Sequence, residues 1–156
     1  MELRALVEQA KQRGDRAFFE RILSPEQGVK ALLQALESLG RLPADFEPAP
    51  LVRLAQHPHE DVRLAAVKAL ARLENRGLLN FFRERLGIET ATLVRRELVS
   101  AIGRLRTTDA ISALAQSLAD PDPKVVVQAI RGLMVFRECA EVQQALHALT
   151  THPSEL

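Results

Sequence analysis

Three stretches of the chain carry apolar and small residues at matching intervals: VRLAAVKALARL from Val62, VRRELVSAIGRL from Val94 and VVVQAIRGLMVF from Val125. The copies lie 32 and 31 residues apart. The opening column is Val62/Val94/Val125. At positions 4, 5, 7, 8 and 11 beyond it, the columns are Ala66/Leu98/Ala129, Val67/Val99/Ile130, Ala69/Ala101/Gly132, Leu70/Ile102/Leu133 and Leu73/Leu105/Phe136. These intervals trace one stripe of a helix of about 3.6 residues per turn, so each stretch is predicted to be a helix with one buried face. The column holding only alanine and glycine predicts another backbone close by.

Each of these helices follows a shorter one, APLVRLAQ, GLLNFFRERL or DAISALAQSLA. The joints HPHED, GIETAT and DPDPK are turn sequences. In the last, Asp122 is predicted to cap the helix that Pro123 opens, since proline at the first helical position loses no needed hydrogen bond. Thr90 or Thr92 is predicted to cap the middle copy. The unit is a short helix, a tight turn and a longer helix. One such hairpin cannot bury both apolar faces, whereas stacked neighbours can.

The pattern DPDPKVVVQAIRGL, with its relatives HPHEDVRLAAVKAL and VRRELVSAIGRL, resembles HEAT repeats. It is most similar to the short bacterial form also seen in phycobilin lyase subunits. The resemblance runs from about Ala49 to Leu156. It implies an all-α fold, a right-handed α-solenoid of stacked helical hairpins. The repeats would span about 49–74, 76–105 and 108–137, with a half repeat over 140–156. In the family, the Asp-Pro step at the turn and an Arg after the helix-opening Val are structural. Here that Asp is Asp120 in the third copy but His57 in the first, and the Arg is Arg63 and Arg95 but Val126 in the third. Such repeats serve scaffolds, regulators, nucleic-acid binders and lyase subunits alike, so the resemblance carries little about activity.

Before Phe46 the resemblance fades. GDRAFFERIL and SPEQGVKALLQALESLG are predicted as two helices, the second with Ser24 as N-cap, Pro25 at the first position and Gln27 closing a capping box. Gly40 ends that helix, and the proline-rich RLPADFEPAP follows as a link. Residues 1–45 are expected to form an N-terminal helical cap on the repeats over 46–156.

Composition narrows the functions. The 156 residues are 47% hydrophobic and 26% charged, as in an ordered soluble protein, and a net charge of +1 argues against strong overall attraction to nucleic acid or anionic membrane. Cys139 is the one cysteine, which excludes an internal disulfide and fits a reducing compartment. The opening MELRALVEQA lacks the apolar core of a secretory signal, and no stretch approaches the ~20 apolar residues of a membrane span. A cytoplasmic protein with no membrane role is expected.

A nucleophile elbow, a phosphate-cradling glycine loop and a zinc-protease helix are absent from the sequence, so no catalytic, cofactor or metal residue is expected. His57-x-His59 has a metal-like spacing but lacks the further ligands of a closed zinc site. His57 is therefore read as standing in for Asp120, and His59 for the capping Asp122. Asp120 and Asp122 are read as turn and cap residues rather than an acid–base pair. The pairs Phe18/Phe19 and Phe81/Phe82 are read as core and its margin.

Of the 21 positive side chains four are lysine (Lys11, Lys30, Lys68, Lys124), leaving 17 arginines. Lys68, Arg72, Arg96, Arg104 and Arg131 fall off the apolar stripe of the longer helices. The resemblance puts such helices on an inner surface, where these five residues would form a basic strip. The leading expectation is a non-catalytic scaffold that holds a protein partner, as a domain of a larger protein or a subunit of a complex. The alternative is a nucleic-acid binder using the strip for phosphate contacts. With no Trp or Tyr in the chain, base stacking lacks its usual residues. A second alternative, implied by the resemblance alone, is a phycobilin-lyase-like subunit.

The last stretch, EVQQALHALTTHPSEL, has Val142, Leu146 and Leu149 at helical spacing and then repeats the His-Pro turn of His57-Pro58. It reads as the first helix of a fourth hairpin. The expectation is that further repeats or a partner cover this end, and that the final helix frays first without them.

Overall fold

In the computed structural model, residues 2–150 are described, Thr150 by its backbone alone. The His152-Pro153 turn expected after the last helix lies outside them. All regular elements among the described residues are helices, as the apolar period predicts. The chain divides into two compact units at Asn75/Arg76.

The first unit holds α1 (Leu3–Arg13), α2 (Arg16–Ile22), α3 (Val29–Ser38), α4 (Ala49–Leu54) and α5 (Glu60–Leu73). Helix α5 packs on α3 and α4, and α1 lies against α2 and α3. The predicted stripe of α5 faces inward: Val62, Ala66, Val67, Ala69 and Leu70 are all buried. Helix α3 supplies Leu32, Ala35 and Leu36 to the same core, and Leu39 follows at its C-cap. Phe19 is buried and packs edge-to-face with Phe46, their ring centroids 5.0 Å apart, while Phe18 is the half-buried margin.

Two readings of this unit are corrected. Helix α1 was not anticipated; its buried Val7 and Ala10 and its left-handed terminator Gly14 (φ 64°) are the signal that could have found it. Its Lys11 Nζ donates to the Leu39 and Arg41 carbonyls at 3.1 and 2.7 Å, satisfying groups that the end of α3 leaves open beside Gly40 (φ 58°). Helix α3 begins at Val29 with Gly28 as N-cap, not at Pro25. The capping box fails because its two side chains bond locally elsewhere. Ser24 Oγ accepts the Glu26 N–H at 3.3 Å, and Gln27 Nε2 donates to the Arg21 carbonyl at the end of α2.

The second unit begins with a 3-10 turn, Arg76–Leu78, leading into α6 (Leu79–Ile88) and α7 (Thr92–Arg104). A second such turn, Thr108–Ala110, leads into α8 (Ile111–Ser117), α9 (Pro123–Met134) and α10 (Ala140–Thr150). Helix α7 packs on α6, α8 and α9, and α10 lies against α8 and α9. Val94, Leu98, Val99, Ala101 and Ile102 are buried on α7, and Val125, Ala129 and Leu133 on α9. Phe82 is fully buried and Phe81 half-buried, again core and margin. Arg76 repeats the role of Lys11: its Nε and Nη2 donate to the Leu105 and Arg106 carbonyls at the end of α7. Arg106 there has φ 51°, and Glu74, likewise twelve residues past its valine, has φ 49°.

The small column does mark a close backbone. A Cβ added at Gly132 would lie 2.9 Å from Leu114 Cδ1 and 3.1 Å from the Gly103 Cα. Gly103, outside the predicted column, is the other half of this contact. Gly132→Ala should destabilise by about 1–2 kcal/mol in denaturant melts, because overpacking outweighs the gain in helix propensity. Gly87, near the end of α6, has nothing within 4 Å of such a Cβ, so Gly87→Ala should stabilise by about 0.5–1 kcal/mol.

Candidate interaction surface

The turns between short and long helices share one hydrogen-bond plan. Five residues before each helix valine, a side chain accepts the N–H two residues on. His57 Nδ1 takes the His59 N–H at 3.0 Å, Glu89 Oε2 the Ala91 N–H at 3.1 Å, and Asp120 Oδ1 the Asp122 N–H at 2.9 Å. Two residues later the plan repeats as a helix cap: His59 Nδ1 accepts from Asp61 at 3.2 Å and Asp122 Oδ1 from Lys124 at 2.7 Å. His57 and His59 therefore do stand where Asp120 and Asp122 stand.

The middle turn departs from expectation. Ala91 is the N-cap of α7 and has no side chain for the task, so neither Thr90 nor Thr92 caps it. Thr92 Oγ1 instead accepts from Arg95 Nη2 at 3.4 Å. Glu89, with a side chain 1% exposed, carries the turn; counting five back from Val94 would have found it.

The arginine after the valine ties the turn. Arg63 Nη1 donates to the Pro58 carbonyl at 2.9 Å, and Arg95 Nη1 to the equivalent Thr90 carbonyl at 2.9 Å. Arg95 also reaches the next turn, Nε donating to Asp120 Oδ2 at 3.1 Å, with both side chains largely covered. One carboxylate thus holds its own turn and the preceding helix. Val126, in the same position on α9, can do neither.

The five basic residues lie on three helices. Lys68 and Arg72 share one face of α5 in the first unit and are exposed. In the second unit, Arg104 and Arg131 are exposed and Arg96 half-buried. Arg104 and Arg131 each adjoin a glycine of the α7–α9 contact, so they flank that crossing.

The second unit also bears apolar surface. Ile130 and Val126 are half-buried, and Val127, Met134 and Val135 are 44, 43 and 45% exposed. With Ala145, Ala148 and Leu149 of α10, the residues Val126, Val127 and Ile130 line a groove of about 960 Å³. Ile88 and Leu93, beside the middle turn, are 67 and 57% exposed. Among the described residues no three His, Cys, Asp or Glu side chains gather as a metal site, and no helix is long and apolar enough to cross a membrane.

Residues 17–101 and 89–156 both match HEAT repeats. The chain belongs to the HEAT repeat family. Its matched region takes in α2 and α3, well ahead of Ala49, where the resemblance was first legible. The fold is accordingly of the α-solenoid class. No curated protein matches the chain. In HEAT terms, Arg95–Asp120 is the polar tie between consecutive repeats. Asp120→Ala should cost about 1–3 kcal/mol, since it orphans the Asp122 N–H and removes the one carboxylate paired with a largely covered arginine. A double-mutant cycle with Arg95→Met in urea melts should return a coupling of about 1 kcal/mol or more.

Proposed function

We propose that this HEAT-repeat chain is a non-catalytic scaffold module that holds a partner protein, and that the partner presents an amphipathic helix to the apolar face of α9. The supporting observation is a comparison within the second unit. On α7, the positions five and nine past the valine are Val99, fully buried, and Gly103, in contact with α9. On α9 they are Ile130, half-buried, and Met134, 43% exposed. On α7 the second of these positions lies against helix α9 and the first is fully buried, so a helix suits the same positions on α9. Covering the exposed remainder of Val127, Met134 and Val135 would contribute on the order of 1 kcal/mol each. Val126 replaces the arginine that would grip the acidic turn of a further repeat, so the surface asks for apolar contact. In this reading residues 1–45 form a helical cap within the first unit. Half-buried Cys139 suits a reducing, cytoplasmic setting.

A purified partner should bind the chain at least tenfold more weakly when Val127 and Ile130 are both changed to Asp, with helicity unchanged by circular dichroism. A partner whose affinity is indifferent to both substitutions would overturn this assignment.

A second reading has its own observation, the pair Arg104 and Arg131 flanking the α7–α9 crossing. With Arg96 they would give the second unit a phosphate-binding patch, and Lys68 and Arg72 would give the first unit one of its own, with affinity that falls steeply with salt. Changing Arg72, Arg104 and Arg131 to Glu should abolish binding to duplex DNA in low-salt anisotropy titrations. No binding by the unmodified chain would sink it. The lyase-subunit alternative has the fold resemblance as its support and gains no residue from the structure.

A further inference from the structure

The turns His57-Pro58-His59 and Asp120-Pro121-Asp122 have the same hydrogen bonds but different acceptors: two imidazoles in one, two carboxylates in the other. We infer that the first turn is a proton-operated cap, in which protonation of His57 and His59 withdraws both acceptors and loosens the start of α5, while the Asp120–Asp122 turn keeps its own through the same acidification.

The chemistry follows from the atoms involved. Each Nδ1 faces a backbone N–H and must offer its lone pair, so the ring proton of each imidazole sits on Nε2. A second proton has Nδ1 as its only seat. There it meets the N–H it had bonded, donor against donor, and puts a cation at a helix N-terminus, where the dipole favours anions. The groups around His57 add to the effect. Burial comes first, then His59 and Arg63, and all three hold its pKa below the ordinary 6.5. Arg63 is close by construction, donating to the His57 carbonyl at 3.0 Å. The acids Glu60 and Asp61 lie in the first turn of α5, and on α4 Arg53 is engaged by Glu20.

The sign of the effect is set by that depression. The folded turn holds a proton less readily than the unfolded chain does, so the contribution of His57 is fully present above pH 6.5. It is lost as the pH falls from there through the folded value. The inference is independent of the proposed partner: the turn lies on the first unit, the apolar face on the second.

Nitrogen-15 spectra of the imidazoles and amide exchange on the full chain test it. At pH 8 both rings should be the Nε2–H tautomer. Between pH 7.5 and pH 5, the protection factors of the His59 and Asp61 amides, corrected for the intrinsic rate at each pH, should fall about tenfold, the size of a lost cap, while Asp122 and Lys124 stay protected. His57→Asp with His59→Asp should remove this response and the accompanying fall in melting temperature. An Nδ1–H tautomer in the unmodified chain, protection indifferent to pH, or an equal fall in the double variant would each overturn it.

Discussion

A two-helix hairpin has one apolar face more than it can bury, and the structure answers that constraint in both units. Each long helix needs a short helix on one side and another long helix on the next, so α5 packs on α4 and α3, and α7 on α6 and α9. The contact between long helices is the demanding one. In the second unit it brings the Gly103 and Gly132 backbones together so closely that a Cβ on either would lie 3.1 Å from the other's Cα. Apolar contact of this kind has no direction of its own. Register comes from the polar tie Arg95–Asp120, which has one geometry.

The turns show how different residues satisfy one backbone requirement. One N–H just before each long helix and one in its first turn need acceptors. Histidine, glutamate and aspartate each supply the first, five residues before the valine. The second is met by a side chain in the outer two cases and by none at Ala91. The plan is common to all three turns, but the chemical group that executes it is not.

The long helices and their buried columns were legible in the sequence because three copies report the same period; one copy carries chance, three do not. The short helices and the His-for-Asp exchange followed from the same alignment. What escaped were features that occur once. Helix α1 is polar along most of its length, with only Val7 and Ala10 buried. The Ser24–Gln27 pattern met the local rule for a cap, yet the same atoms found nearer partners, a competition that spacing cannot resolve. Gly103 escaped because its contact depends on how two helices cross. The basic residues were legible as off-stripe positions; which of them flank a crossing was not, since that too belongs to packing.

The apolar surface of α9 is best understood as an imbalance between two halves of the same repeat design. Its inward face keeps the columns seen on α7, with Val125, Ala129 and Leu133 buried. Its opposite face has exchanged the polar grip for valine, at Val126 and again at Val127, where α7 carries Arg95 and Arg96. Arg95 is held by its turn and by Asp120, and Arg96 is half-buried, whereas Val127 stands 44% exposed with no polar group to offer water. A surface that needed only to stay in water would gain nothing from that exchange, whereas one that closes against an apolar helix would gain contact area and shed two charges that closure would have to desolvate. The substitution pattern and the groove beside α10 therefore point the same way, toward a surface shaped for contact.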